Sequence, residues 1–329
     1  MSDIEVVGLG ALNMDHLYRV ESILDDGEAV VKESILSPGG SAANTIYGLT
    51  RLGVKTGFAG VIGGDAEGKR LLKDFQKMGV DTSQIRVKRR AKTGSVVCLS
   101  DSSGKRSLYV LPGANNLLTT DDLDLGYINQ AKMLHLSSFA DDRQFKVSLE
   151  VIDKLDPHIK VSFAPGALYA AKGLKTLSLI LKRTQVLFIN QNEIRQLTGQ
   201  DVPPGAESCL KQGCHIVAVT LGKGMKLELS QETGRRTATA AGYIRDNENE
   251  YIVEPGNKNT RSALDTTGAG DAFAAGFLYG LLTGKGLEDC GRLGSIMAQF
   301  CITRMGAREG LPTLDKLSRR YHKLYNREL

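Results

Sequence analysis

Residues 264–273, LDTTGAGDAF, are the stretch from which the rest of the chain is best interpreted. Thr267 is a predicted helix N-cap, the Gly-Ala-Gly after it is a backbone almost without side chains, and Asp271 begins a small-residue helix predicted to end near residue 282. A helix N-terminus offers unpaired N–H groups and the positive end of a dipole, which suit a phosphate or a developing anion. The stretch therefore predicts an anion site beside a carboxylate that can accept a proton, with a simple capped helix as the alternative.

The composition predicts a soluble globular protein of the cytoplasm. The chain has 329 residues, of which 41% are hydrophobic and 24% charged, so it can bury a core. Its net charge of +5 comes from scattered basic residues without interleaved aromatics, which argues against nucleic acid as a partner. The five cysteines form no CxxC, which predicts free buried thiols in a reducing compartment and no zinc site. Neither a leader nor a membrane-spanning segment is expected, so we predict no membrane partner.

The order of predicted elements indicates the fold class. From residue 133 onward, strands and helices alternate, which is typical of an α/β, doubly wound, mostly parallel sheet with helices on both faces. Two hairpins in the first third of the chain are the exception and predict a small β-sheet over the ligand edge. We therefore expect one domain, residues 1–329, with lid segments at about 16–37 and 93–112.

The sequence matches two familiar nucleotide-binding motifs only in part. The third glycine of a GxGxxG motif would fall at Asn13, and the P-loop pattern that starts at Gly63 has Arg70 where a hydroxyl residue must ligate Mg²⁺. Asn13 and Asp15 instead follow the first predicted strand closely, where open α/β sheets bind ligands, although an Asx turn explains them equally well.

Two further polar segments follow predicted strands. Asn190 and Glu193 lie three residues apart, so on a first helical turn they share a face and could orient a hydrated Mg²⁺ or its phosphates. The same spacing fits a capping box. Thr220 begins TLGKG, in which Gly222 and Gly224 allow backbone N–H groups to approach a phosphate; a glycine turn between two strands is the alternative.

These segments, in this order and together with PGGSAANT at 38–45 and DTTGAGDAF at 265–273, resemble the ribokinase-like (PfkB) family of carbohydrate and nucleoside kinases. The resemblance covers essentially the whole chain. It implies a Rossmann-like sheet with a β-sheet lid, and transfer of the γ-phosphoryl group of ATP to a substrate hydroxyl.

The resemblance also implies a role for each matching position. Asp271 would be the general base, beside an anion hole formed by Gly268, Ala269 and Gly270. The substrate hydroxyls would be held by Asn13, Asp15, Gly39, Gly40 and Asn44. The nucleotide would be bound by Asn190, Glu193, Thr220, Gly222, Gly224 and, on the helix predicted at 287–303, Ser295. Glu193 would hold Mg²⁺ through water, and Asp265 and Thr267 could bind a monovalent cation such as K⁺.

Departures from the family pattern bear on the substrate. Ribokinase has a carboxylate where this chain has Ser137, and a K⁺-binding hydroxyl residue where it has Gly310, which weighs against ribose and against K⁺ activation. We expect a small-molecule sugar as the acceptor. The resemblance also implies a homodimer formed through the lid. A nucleoside kinase is the alternative, followed by a phosphofructokinase-like sugar-phosphate kinase or a non-catalytic binder.

Overall fold

The first strand is buried on both faces, as expected for a strand inside a parallel sheet. Val7 and Leu9 point to one apolar core and Val6 points to the other, because successive side chains of a strand alternate between faces. The fold is described from a computed structural model, which places residues 4–101, 103, 105–231, 234–254 and 263–329. Their strands are β1 Val6–Leu9, β2 Asn13–Arg19, β3 Glu33–Gly39, β4 Thr56–Gly63, β5 Ile85–Lys88, β6 Gly94–Ser100, β7 Arg106–Leu111, β8 Met133–Ser137, β9 Lys160–Ala164, β10 Thr184–Asn190, β11 Ile216–Gln231, β12 Gly234–Arg245 and β13 Glu250–Val253.

The main sheet has nine strands in the order β13-β12-β11-β10-β9-β8-β1-β4-β5. The strands from β11 to β5 are parallel, and β12 and β13 add an antiparallel edge. Helices pack on both faces, with the bounds α1 Ser41–Arg51, α2 Ala66–Met78, α3 Leu125–Ile128, α4 Asp142–Lys154, α5 Gly166–Ala170, α6 Gly173–Arg183, α7 Gln191–Thr198, α8 Val202–Lys211, α9 Ala269–Leu282, α10 Leu287–Cys301 and α11 Leu314–Tyr325. The predicted doubly wound α/β class is confirmed.

A second sheet of four strands, in the order β3-β2-β6-β7, forms the lid. Asn13 and Asp15 lie in β2 of this sheet and not in a loop, so the Asx-turn alternative is wrong. The small lid sheet is thus present, while the division of the chain into one domain with lid segments 16–37 and 93–112 stays a prediction.

The segment that mimics a P-loop anchors the lid. Asp65 caps α2 by accepting the Gly68 N–H at 2.9 Å, and it also accepts the Thr93 N–H at 2.8 Å and the Thr93 hydroxyl at 2.5 Å. Thr93 directly precedes β6, so one carboxylate joins a core helix to a lid strand. Lys69, within the same segment, is exposed on α2.

Helices α1 and α9 approach closely on one face of the main sheet. A Cβ built on Gly48 of α1 would lie 2.8 Å from the Cβ of Ala275 of α9, so only glycine allows this separation. The first turns of the two helices also meet, since Ser41 and Asn44 of α1 both bond to Asp271 of α9. Among the described residues, no helix is both long and apolar enough to cross a bilayer. All five cysteines are free and buried, as predicted.

Candidate active site

Asp271 lies in the first turn of α9, where the helix directs unpaired N–H groups outward. The N-cap is Gly268, at φ 75°, and not Thr267 as predicted. Gly268 is required twice over, because its φ is left-handed and because a Cβ there would lie 2.3 Å from the Cβ of Ala307. Gly268, Ala269 and Gly270 therefore lead into the helix without side chains that block its N-terminus.

Two donors from α1 hold the Asp271 carboxylate. The Ser41 hydroxyl donates to Oδ1 at 2.7 Å, and the Asn44 amide Nδ2 donates to Oδ2 at 2.9 Å. Gly40 is the N-cap of α1 and Ser41 is its first helical residue, so the Ser41 hydroxyl is free to reach across to α9. The orientation of the carboxylate is thus defined from both of its oxygens.

The environment of Asp271 makes its carboxylate a better proton acceptor. Burial raises the pKa of its carboxyl group, and the hydrogen bonds from Asn44 and Ser41 and the positive charge of Arg308 lower it in part. A carboxylate with a raised pKa binds a proton more readily than an exposed aspartate does.

Asp15 is a buried carboxylate on the lid face of the site. Burial raises its pKa to about 7, the charge of Arg308 opposes this rise, and the charges of Asp271 and Asp265 add to it. Within the described part of the chain, Asp15 Oδ1 has no hydrogen-bond partner. A buried acceptor without a donor is costly unless a ligand supplies one.

Two glycines shape the floor below Asp15 and the start of α1. A Cβ on Gly39 would lie 2.2–2.3 Å from the Asp15 carboxylate atoms. Gly40 has φ 98°, and a Cβ there would lie 2.1 Å from the carbonyl oxygen of Ala11. Asn13 is buried on the same face of β2, where its Oδ1 accepts the Asn115 amide at 2.9 Å.

Asn190 and Glu193 form a capping box at the start of α7. Asn190 Oδ1 accepts the Glu193 N–H at 2.9 Å, and Glu193 Oε2 accepts the Asn190 N–H at 3.0 Å. The capping alternative is therefore present, and it leaves Glu193 close enough to Asp271 to sense its charge. Burial raises the pKa of Glu193, its bond with Asn190 lowers it, and the charge of Asp271 raises it again.

The TLGKG segment lies beside that capping box. Thr220 on β11 pairs with Asn190 on β10 in parallel register. The register of β11 against β12 shifts between Thr220 and Met225, and Gly222 and Gly224 there have φ 58° and 100°. No atom lies within 4 Å of a Cβ built on Gly222, so its backbone borders open space. The alternative of a glycine turn between two separate strands is wrong, since β11 continues through the segment with a bulge.

Ser295 is buried in α10, where its hydroxyl accepts the Gln299 amide at 3.3 Å. The helix predicted at 287–303 ends at Cys301. No described contact joins Ser295 to the other predicted site residues, so its place in an adenine pocket stays a prediction.

Asp265 joins the glycine-rich loop to the loop after α10. Its Oδ1 accepts the Thr267 N–H at 2.9 Å, and its Oδ2 accepts the Gly306 N–H at 2.9 Å. Thr267 Oγ1 is buried, and its side chain lies beside the Cys98 thiol. A Cβ on Gly310 would lie 2.4 Å from the Phe300 carbonyl oxygen, so this backbone has no room for a hydroxyl residue there. No group of three metal-binding side chains occurs among the residues that the structure places.

Arg308 was not predicted as a site residue. Its Nε donates to Asn44 Oδ1 at 2.9 Å, one Nη donates to Asp74 at 2.6 Å, and the other donates to the Gly39 carbonyl at 3.3 Å. The only sequence signal was its place in the loop after α10, because its partners lie 234 or more positions away.

The doubly wound sheet, the four-stranded lid and the carboxylate at a glycine-rich helix N-terminus define a ribokinase-like α/β enzyme fold. The chain belongs to the pfkB family carbohydrate kinases, whose sequence profile matches residues 3–314. The family resemblance is thereby confirmed, as is the predicted enzyme class, a phosphotransferase with an alcohol group as acceptor.

Individual relatives agree with this membership. An uncharacterized sugar kinase of Archaeoglobus fulgidus is 37% identical over 268 residues, which is 80% of this chain and 98% of that protein. The ATP-dependent ribose-1-phosphate kinase of Halopiger xanaduensis is 28% identical over 316 residues, covering 96% and 97% of the two chains. The ribokinase structure of Thermotoga maritima has a TM-score of 0.79 at 24% identity, covering 97% of this chain and 99% of that chain, and shares the fold.

Proposed function

We propose that the protein transfers the γ-phosphoryl group of ATP to a hydroxyl group of a sugar or sugar-like alcohol, with Asp271 as the general base. One observation carries this proposal: the Asp271 carboxylate lies at the N-terminus of α9 and is held there by Ser41 and Asn44. A base and an anion site at the same helix N-terminus are what phosphoryl transfer to a hydroxyl requires.

In the proposed reaction, the acceptor oxygen bonds to the γ-phosphorus while the bond between that phosphorus and the leaving oxygen of ADP breaks. Asp271 orients the acceptor hydroxyl and takes its proton, late in a loose transition state. The N–H groups of Gly268, Ala269 and Gly270, at the N-terminus of α9, offset the charge on the transferred group. This role needs the close, side-chain-free approach that the Gly268 conformation provides.

The nucleotide is proposed to lie along the ends of β10 and β11. The register of Asn190 with Thr220, the open space at Gly222 and the bulge that includes Gly224 support this placement, and Ser295 is proposed to line the adenine pocket. Bound Mg²⁺ would neutralise phosphate charge. Because Mg²⁺ keeps several waters and phosphate ligands, one carboxylate such as Glu193 can hold it through water.

The acceptor is proposed to bind between β2 of the lid and α1. Asp15 Oδ1 lacks a donor among the described residues, as expected for a group that receives a substrate hydroxyl. Gly39, Gly40, Asn13 and Asn44 complete this surface.

Two observations bear on which acceptor binds there. Arg308, the cation near both Asp15 and Asp271, is bonded to protein acceptors, which favours a neutral polyol over a sugar phosphate. Ser137, which stands where ribokinase has a carboxylate, accepts the Ala42 N–H with its Oγ at 3.1 Å and so supports α1. The absence of a carboxylate at this position weighs against ribose as the acceptor.

Two further features support proposals on assembly and activation. The buried hydroxyl of Thr267 beside Asp265 makes a monovalent cation such as K⁺ a candidate ligand. The edge strand β7 exposes four consecutive apolar residues, Leu108 to Leu111, each at least 43% exposed. An apolar sheet edge of this kind suits pairing with a second copy of the chain, which supports a homodimer through the lid.

A phosphoryl-transfer screen tests the function. Purified protein with ATP and Mg²⁺ is offered neutral sugars, sugar phosphates and nucleosides, and ADP release is measured for each. We expect the highest kcat/KM with a neutral sugar or sugar-like alcohol. Turnover only with nucleosides would replace the acceptor class and keep the mechanism. No acceptor-dependent ADP release from any class would contradict the proposed function.

A further inference from the structure

We propose that Arg308 is a positioning residue that aims the Asn44 amide at the Asp271 carboxylate. The inference rests on the proposed function, because it assigns Arg308 a task in preparing the general base. Arg308 touches neither the predicted anion hole nor Asp271 itself in any described hydrogen bond.

The guanidinium group is held rigidly. The Arg308 side chain is 3% exposed, one Nη lies 2.6 Å from Asp74 Oδ2, and the group lies over the rings of Tyr47 and Phe75 at 5.0 and 5.1 Å. Burial lowers the pKa of Arg308 and the charge of Asp74 raises it, and an arginine so paired stays charged. A planar cation fixed by one ion pair and two rings has one orientation available for its remaining donors.

This orientation dictates how the Asn44 amide is turned. A guanidinium group has donors and no acceptor, so Arg308 Nε must face the Asn44 carbonyl oxygen, at 2.9 Å. The amide nitrogen of Asn44 then faces Asp271 Oδ2, at 2.9 Å. In the hydrogen-bonded series Asp74, Arg308, Asn44 and Asp271, the donor and the acceptor of each bond are therefore fixed.

Without Arg308, the Asn44 amide keeps only one of these two partners: the Asp271 carboxylate still accepts from Nδ2, but the donor that fixes Oδ1 is gone. The Asn44 side chain is then free to shift. The carboxylate that it holds can leave the orientation in which Ser41 and Asn44 both bind it. Displacement of a catalytic group by about 1 Å can cost on the order of a hundredfold in rate.

Arg308 also adds charge to the site. Its positive charge lowers the pKa of both Asp271 and Asp15, against the effect of burial. Removal of the charge should therefore move the acidic limb of the kcat–pH profile to higher pH, because Asp271 would hold its proton longer. A residue that only supports folding would leave this limb where it is.

The test compares Arg308→Met with Arg51→Met. Arg51 is the matched control, because its Nε donates to the Leu311 carbonyl of the same C-terminal loop at 2.7 Å and it makes no described bond to Asn44. We expect Arg308→Met to lower kcat by about tenfold to a hundredfold and to shift the acidic limb upward. Arg51→Met should change kcat less than about twofold and leave the limb unchanged.

A double-mutant cycle with Asn44→Ala shows whether Arg308 acts through Asn44. We expect that Arg308→Met has little further effect on kcat once Asn44 is absent. Additive losses, or a folded Arg308→Met protein with wild-type kcat and pH profile, would overturn the inference. If Arg308→Met does not fold, Arg308→Lys, which keeps the charge without the planar fork, replaces it in the same cycle. An Asp271→Asn protein with full turnover would instead overturn the proposed function.

Discussion

The carboxylate of Asp15 lies directly over the Cα atom of Gly39, where a Cβ would fall 2.2–2.3 Å from its atoms. We expect Gly39→Ala to displace Asp15 and raise the acceptor KM at least about tenfold, since overpacking of this kind typically costs about 1–3 kcal/mol. Gly286→Ala is the control, because it has an ordinary φ of −64° and no atom within 4 Å of its Cβ position. Steady-state kinetics in which both variants keep the wild-type KM would show that this contact is unimportant.

Asp65, which bonds both to the first turn of α2 and to Thr93, should contribute more to the free energy of unfolding than an ordinary helix cap does. Asp65→Ala removes the cap of α2 and two bonds to Thr93 at the start of β6, so we expect a loss of about 2–3 kcal/mol in the free energy of unfolding. Asp124→Ala, which removes only the cap bond to Tyr127 N–H, should cost about 1 kcal/mol. Urea unfolding measures both, and equal losses would mean that the Thr93 bonds add nothing.

Asp15 should make the folded protein less stable as the pH rises. The folded state keeps the Asp15 proton up to about pH 7, whereas the unfolded chain releases it near the ordinary value of 3.8. Between these pH values the folded state therefore binds more protons than the unfolded chain. The protonated Asp15 adds at most roughly 4 kcal/mol to the free energy of unfolding, and this contribution is lost as the pH rises from about 4 to about 7.

Asp15→Asn should remove that pH dependence, because an amide cannot ionise. Asp25→Asn, an exposed residue between β2 and β3, is the matched control and should keep the wild-type profile. Chemical denaturation at several pH values between 4 and 8 gives the comparison. Parallel profiles for the wild type and Asp15→Asn would show that Asp15 is ionised throughout.

The exposed edge strand β7 predicts the state of assembly. If two copies pair through the lid, Leu108→Lys should reduce the mass measured by light scattering to that of a monomer, because a charge on an edge opposes pairing. Leu168→Lys, at a similarly exposed leucine of α5, should leave the dimer intact. A wild-type protein that is monomeric at micromolar concentration would contradict the lid dimer.

The sequence predicts the scaffold well, since hydrophobic periodicity and glycine turns are local signals. From the sequence we expect helices from about 66 to 78 and over 314–325, for example, and α2 and α11 have these bounds. Helix α8 was not among the predicted elements. Its two prolines fall in the first turn, where no intrahelical N–H bond is needed.

Only part of the candidate site could be predicted from the sequence. Asp271, Asn44 and Asp15 were named from their motifs, but the bond from Ser41 to Asp271 spans 230 positions and leaves no local pattern. Ser41 was named only within the PGGSAANT segment, and Arg308 was not named at all. Their roles depend on the close approach of α1 to α9, which is a property of tertiary packing.

The turnover number of Asp271→Asn tests the central claim most directly. The amide keeps the size of the side chain but cannot take the proton, so we expect kcat to fall at least about a hundredfold while ATP binding stays within about twofold. Asp315→Asn, at a first-turn aspartate of α11, is the matched control and should keep the wild-type kcat. An Asp271→Asn protein that turns over at the wild-type rate would contradict the assignment of Asp271 as the general base.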